Sequence, residues 1–242
     1  MIGGFIITGN APKKVVIRGL GPSLTSFGMS NLLMDPFLQL RGSSGALIRQ
    51  NDNWKDDQRP EIEGTIYQPS DDRESVIVAT LVPGAYTALL TGKGGTTGVG
   101  TVEVYDANVA SDSELANIST RGFVQTGNDV MIAGFSLGGP TSAANLAVRA
   151  LGPSLSSAGL SNVMPDPTLE LRDSNGTLLV SNDNWQDNPV SAALLSANGL
   201  ALPNPSESGI FITLLAPGQY TAIVVDKTGV NGIAIVEVYN IK

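Results

Sequence analysis

The 242-residue sequence predicts an all-β protein built as two tandem antiparallel β-sandwich, jelly-roll-like repeats. Three observations predict it. The first is internal duplication. Gly21-Pro22-Ser23-Leu24 returns as Gly152-Pro153-Ser154-Leu155, and Asn51-Asp52-Asn53-Trp54 returns as Asn182-Asp183-Asn184-Trp185, a shift of 131 positions (21 to 152). Pro83-Gly84-Ala85-Tyr86-Thr87-Ala88 and Val102-Glu103-Val104-Tyr105 return as Pro217-Gly218-Gln219-Tyr220-Thr221-Ala222 and Val236-Glu237-Val238-Tyr239, a shift of 134 (83 to 217). Near-constant spacing over a whole unit means one fold used twice. The second observation is that apolar residues fall in short runs between turn residues, without sustained helical spacing. The third is composition: 28 Gly, 14 Pro and only 15% charge suit strands and turns. The length holds two domains of ordinary size, expected at 1–108 and 115–242.

The elements follow in order. Residues 2–8 and 14–19 read as strands. Residues 37–41 alternate apolar and polar, 42–45 turn, and 46–49 return as a hairpin arm. A polar stretch and a variable loop (56–73) precede strands at 75–81, 85–90 and 99–105, with Pro-Gly turning the chain before Tyr86. The second copy repeats the scheme at 169–173, 177–180, 209–215, 219–225 and 233–239, with its variable loop at 187–206. Helical turns are expected only within 23–33 and 190–200. Ahead of the second copy, 118–124 and 130–137 read as a hairpin around a turn at 125–129.

That hairpin implies a missing partner. Met1-Ile2-Gly3-Gly4-Phe5 aligns with Met131-Ile132-Ala133-Gly134-Phe135, the second arm. The first copy is thus expected to lack its opening strand, either as a fragment of a longer array or as a vacancy filled by another chain. An unpaired edge at residues 2–8 would invite β-augmentation and head-to-tail self-association. Its expected carriers are Ile2, Phe5 and Ile7 on the open strand and Ile118, Phe123 and Val124 on the donated one.

Residue types exclude several chemistries. Histidine is absent, removing the commonest general base and transition-metal ligand. Cysteine is absent, so there is no disulfide framework. A net charge of −8 speaks against nucleic acid, and no apolar run approaches the roughly 18 residues of a membrane-spanning helix. Gly134-Phe135-Ser136-Leu137-Gly138-Gly139 matches G-x-S-x-G, but a nucleophile elbow needs a strand-to-helix turn and a histidine, and the first copy has no serine there. A non-enzyme is expected.

One cluster suits a ligand. Asp35, Asn51, Asp52, Asn53 and Asp56, matched by Asp166, Asn182, Asp183, Asn184 and Asp187, carry the oxygen ligands that Ca²⁺ takes. They do not form an EF-hand, and the same residue types close turns on their own backbone. Both readings stand. Trp54 and Trp185 are either sugar-stacking platforms or anchors of a loop on the core. Arg18 and Arg149 suggest buried salt bridges, with Asp35 and Asp166 as candidate partners.

Two resemblances rest on these residues. Asp166-Pro167-Thr168-Leu169-Glu170-Leu171, then Asn182-Asp183-Asn184, then Pro217-Gly218-Gln219-Tyr220 resembles the bacterial pre-peptidase C-terminal domain. That resemblance implies a β-sandwich accompanying secreted enzymes, some members binding matrix polymers or calcium. The fuller pattern, Ile118-Ser119-Thr120-Arg121-Gly122-Phe123-Val124 through Gly-Pro-Ser-Leu, Asn-Asp-Asn-Trp and Val-Glu-Val-Tyr, is similar to tandem modules of large secreted or surface proteins of environmental bacteria. Together they imply an extracellular or cell-surface location. The expected function is a non-catalytic structural module that self-associates through sheet edges into a homo-oligomer, fibre or surface array. The alternative is a module, stabilised by Ca²⁺, that binds extracellular polysaccharide or matrix and serves adhesion.

Overall fold

The computed structural model describes residues 1–127, 129–138 and 143–241. They are predominantly antiparallel β-structure in two compact units, Met1–Ile118 and Ser119–Lys242. The first unit contains β1 (Ile2–Gly9), β2 (Lys13–Leu20), β3 (Pro36–Gly42), β4 (Leu47–Asn51), α1 (Arg59–Ile62), β5 (Ser75–Leu81), β6 (Gly84–Gly92) and β7 (Thr101–Asp106). Strands in the order β4-β3-β6-β1 face the sheet β5-β2-β7. Phe5, Ile7, Val15, Ile17, Leu38, Leu40, Ile77, Tyr86, Ala88 and Leu90 meet between them in one core.

Local sequence explains the layers. β3 alternates buried and half-buried residues, as a strand with one covered face should. β2 instead buries Val15, Val16 and Ile17 in succession. Val15 and Ile17 point to the inter-sheet core, while Val16 packs with Trp54, Ile62, Val76 and Val78 beneath the loop carrying α1. A continuous apolar run here marks a strand covered on both faces.

The second unit contains β9 (Met131–Leu137), β10 (Ala144–Leu151), β11 (Pro167–Asp173), β12 (Leu178–Asn182), α2 (Pro189–Ala197), β13 (Ser208–Leu215), β14 (Gly218–Asp226) and β15 (Gly232–Ile241). Its strand orders are β12-β11-β14-β9 and β13-β10-β15. α2 starts where Asn188 accepts from the backbone N–H of Val190 and Ser191 and Pro189 fixes the first turn. It lays Leu195 into a cluster with Ala147, Leu151, Trp185 and Leu202, with Phe211 and Tyr239 alongside.

β8 (Ser113–Val124) is divided by the unit boundary. That boundary falls inside a strand and not in the 109–114 segment, because the segment is tied to the first unit. Ala107 N donates to Lys14 O at 2.9 Å, Ser111 Oγ to Pro12 O at 3.1 Å and Asn10 N to Asp112 O at 3.3 Å. Lys13, fully buried, sends its ammonium to Asp106 at 2.7 Å and to Asn108 O at 2.9 Å.

This arrangement corrects two expectations. Residues 118–124 and 130–137 do not pair as a hairpin: β9 pairs with β14, and β8 belongs to a different sheet order, beside β15 in the second unit. Nor is β1 an open edge. It lies between β6 and β8, with Leu115 and Ile118 of β8 packed against the core that holds Phe5 and Ile7. Ile2, Phe5 and Ile7 are therefore interior positions of their unit. Val124 is buried too, and of the expected association residues Phe123 is the exposed one, at 58%. Among the described residues, the strands left without an outer neighbour where their counterparts have one are β7 and β9.

Candidate functional site

The duplicated polar motifs fold into one loop per unit, between β4 and β5 and between β12 and β13. Asn51 turns back on its own chain: Nδ2 donates to Asn53 O at 3.0 Å, and Oδ1 accepts from Val76 N at 2.9 Å. Asn182 does the same with Asn184 O at 2.9 Å and Gly209 N at 2.8 Å. Asn53 Nδ2 donates to Asp56 at 2.8 Å, and Asn184 Nδ2 to Asp187 at 3.1 Å. The bonds within 51–56 and 182–187 are turn closures by Asx side chains, and those to Val76 N and Gly209 N tie each loop to β5 or β13.

Beneath each loop lies a carboxylate that pattern reading passed over. Glu74 is wholly buried, and its Oε1 accepts from Gly21 N at 2.9 Å, Ser23 N at 2.9 Å and Ser23 Oγ at 2.6 Å. Glu207 accepts from Gly152 N at 3.1 Å and Ser154 N at 2.9 Å. The Gly-Pro-Ser-Leu motif is thereby explained. Its glycine is obligatory because a Cβ on Gly21 would sit 1.8 Å from Leu33 O, and one on Gly152 2.2 Å from Met164 O. Its proline opens a 3-10 turn whose free N–H groups point at the carboxylate. The Glu carbonyls in turn receive Trp54 N and Trp185 N, each at 2.8 Å. The signal was the Glu-Ser pair standing before an apolar strand in both copies (Glu74-Ser75, Glu207-Ser208).

A lysine completes each cluster. Lys93 pairs with Asp52, and Lys227 with Asp183. Hydrogen bonding and charge from Asp52, with Asp35 and Asp56 adding, raise the Lys93 ammonium above its ordinary pKa. Asp183, with Asp166 and Asp187, does the same to Lys227. Burial lifts Asp166, and the charges of Asp183 and Asp226 add to it while Lys227 opposes. Asp35 and Asp166 themselves give backbone carbonyls to Lys93 N and Lys227 N, each at 2.9 Å.

In each unit one aspartate, Asp52 or Asp183, binds a lysine ammonium where a Ca²⁺ shell would need six to eight oxygens, while one oxygen each of Asp52, Asp166 and Asp183 is buried without a hydrogen-bond partner. The Asn51 and Asn182 oxygens are taken by backbone N–H groups, and among the described residues no three His, Cys, Asp or Glu side chains converge as a metal site.

The other expected sites are placed as follows. Trp54 is 1% exposed and Trp185 8%, so neither ring offers a face to a sugar; both anchor their loops, and Lys55 lies over the Trp54 ring at 5.2 Å. Arg18 and Arg149 pair with Glu103 and Glu237 on the neighbouring strand, not with Asp35 and Asp166. Each guanidinium also lies over a ring, Tyr105 at 5.4 Å and Tyr239 at 5.5 Å. Burial pushes both phenols above their ordinary pKa, with the adjacent Glu adding. Tyr86 and Tyr220 close the Pro-Gly turns by donating to Val82 O at 2.7 Å and Ala216 O at 2.8 Å. Ser136 sits mid-ladder opposite Gln219, so it is no nucleophile elbow; Gly139 of that motif lies outside the described residues.

What remains is a backbone site, the outer edge of β9. β1 and β9 take the same place against their neighbours: Phe5 faces Tyr86 and Phe135 faces Tyr220. The rings stack alike, at 5.5 Å and 23° against 5.7 Å and 28°. Their cover differs. Phe5 is 1% exposed while Phe135 is partly exposed, and Ile2 is half-buried while Ile132 is 51% exposed. β9 carries neither charge nor proline to guard its edge.

No family model matches the chain, and no curated protein matches its sequence. Among solved structures it is similar to the STIV MCP, at 10% identity and a TM-score of 0.30, over 98% of this chain and 90% of that one. It is also similar to the major capsid protein P2 from bacteriophage PM2, at 8% identity and a TM-score of 0.27, over 100% and 92%. A putative secreted protein from Eubacterium rectale gives 9% and 0.24, over 98% and 69%. Likeness this loose carries no argument about fold or function.

Proposed function

We propose that the chain is a pair of tandem, jelly-roll-like β-sandwich modules with a non-catalytic structural role, and that it joins other modules of its kind through open sheet edges. The observation that carries this reading is the uncovered, unguarded edge of β9, beside a counterpart strand whose edge is covered. The fate of the duplicated polar groups supports it. Glu74, Glu207, the loop asparagines and the arginine–glutamate pairs all end on partners within their own unit, holding loops in place. An array, fibre or surface layer is the assembly such edges would build. The resemblance of the motifs to secreted tandem modules supports an extracellular or cell-surface setting.

Sedimentation velocity over a concentration series tests the reading. Mass growing with concentration is expected. A strictly monomeric particle at the highest concentration would remove the assembly claim.

A further inference from the structure

We infer that the outer edge of β9 is a docking site for one specific kind of partner: the β8-type strand of another module of this family, entering beside β9 as residues 113–118 enter beside β1. The inference deepens the proposed function and rests on it for the partner's origin, but its site stands on separate geometry.

The molecule contains its own template. In the first unit the strand aligned with β9 is covered, and the covering segment is visible. Asp112 O accepts from Asn10 N at 3.3 Å, and Ser113 Oγ accepts from Ala11 N at 3.1 Å. Ser113 and Asn117 are buried, Leu115 between them is half-buried, and Leu115 and Ile118 pack on the core that holds Phe5 and Ile7. In the second unit the same β-strand, with Ile132, Gly134 and Phe135 repeating Ile2, Gly4 and Phe5, is more exposed from Ile132 through Leu137, except at Ala133. β9 differs from β1 in side chain at Ala133, Ser136 and Leu137, where β1 has Gly3, Ile6 and Ile7, but not in its pairing. Its pairing with β14 and the stacking of Phe135 on Tyr220 match those of β1. Among the described residues, β9 lacks the outer neighbour that β1 has.

The occupant can therefore be specified by chemistry. It is an extended segment offering main-chain hydrogen bonds along its length, with a small polar residue where Ser113 stands and a branched apolar residue two positions later to cover the Phe135 side of the core. This is strand addition, in which backbone bonds give affinity and alternate side chains give register. The other open edge, β7, has as its counterpart β15, which β8 also adjoins. One strand of this type, then, supplies cover to both kinds of edge.

The test uses the whole chain and a labelled synthetic peptide of residues 112–124. Binding is followed by fluorescence anisotropy, and its location by amide hydrogen exchange. Saturable binding is expected, with exchange across Met131–Leu137 slowed about tenfold or more and exchange in β1 unchanged because its edge is filled. A peptide carrying Leu115→Asp should bind at least about tenfold more weakly, since it would bury a charge. Three results would overturn the inference: no saturation, protection elsewhere than β9, or equal binding of the Leu115→Asp and scrambled peptides. The outcome is separable from the assembly reading. Peptide capture at β9 by a chain that stays monomeric would keep this site and remove self-association, whereas oligomers that ignore the peptide would do the reverse.

Discussion

β1 and β9 are nearly the same strand in two situations. Each places a phenylalanine opposite a tyrosine, and each is followed by a strand buried on both faces. β1 has a neighbour on either side, and among the described residues β9 has one. The comparison teaches that sequence decides which residues form a strand and which face turns inward, whereas edge cover comes from a distant segment. The chain leading into that segment, β8, is tied down in the first unit by a buried lysine. Lys13 binds Asp106 and Asn108 O there, and the aligned position in the second unit is Ala144.

The largest expected effect probes the comparison at its centre. Phe5→Ala should cost about 3–5 kcal/mol in urea unfolding, the range for truncating a fully buried aromatic. Phe135→Ala, from a partly exposed site, should cost about 1–2 kcal/mol less. Equal costs would erase the distinction between the two strands.

Breaking that tie comes next. Lys13→Met keeps the buried chain but removes the ammonium from the Asp106 carboxylate, which retains Asn108 N, and from the Asn108 carbonyl, a loss of about 1–3 kcal/mol. It should also speed amide exchange in β1 while leaving β9 unchanged. A variant with undisturbed β1 exchange would show that Lys13 does not hold β8.

A third difference is electrostatic. Asp226 accepts from Thr228 N at 2.8 Å, Thr228 Oγ1 at 2.6 Å, Val230 N at 3.1 Å and Asp166 N at 3.0 Å. Burial pushes its pKa up, but these bonds together hold it below the ordinary aspartate value. The aligned residue in the first unit is Gly92. A depressed carboxylate adds stability above its unfolded pKa and loses it as pH falls through the folded one. Asp226→Asn should therefore cost about 1–2 kcal/mol at neutral pH, with the gap to wild type closing in acid below roughly pH 4. Asp166 runs the other way. Its raised pKa gives stability below the unfolded value that is lost as pH rises through the folded one. A gap independent of pH would contradict the assignment.

The smallest expected effect concerns calcium. Because Lys93 and Lys227 already sit among the carboxylates, about 1 mM Ca²⁺ or chelator should move the melting temperature by less than about 1 °C. A rise of several degrees with Ca²⁺ would restore a metal site at the Asp/Asn loops.

Much of the architecture was legible in the residues. Period-2 runs marked β3 and β11, Pro-Gly marked the turn before Tyr86 and Tyr220, and the expected helical turn at 190–200 is α2. The route of β8 was not legible. Residues 118–124 read as a strand, but periodicity does not say which sheet a strand enters after a turn, and the nearest apolar strand in sequence is not its partner. The polar motifs misled in a related way. Asn51, Asp52 and Asp183 look like ligands because their partners, the Val76 amide, Lys93 and Lys227, lie far along the chain. The partner of Gly-Pro-Ser-Leu was hidden for the same reason, since Glu74 and Glu207 follow loops that differ between copies. Only burial separates the two roles open to Trp54 and Trp185, because a loop anchor and a stacking platform need the same residue.

The most direct measurement is native-state hydrogen exchange on the intact chain, comparing amides of Ile2–Gly9 with those of Met131–Leu137. Protection on both sides of the first strand and on one side alone of the second is the predicted result, so every second amide of the latter exchanges quickly. Uniform protection along both strands, or faster exchange in the first, would contradict it.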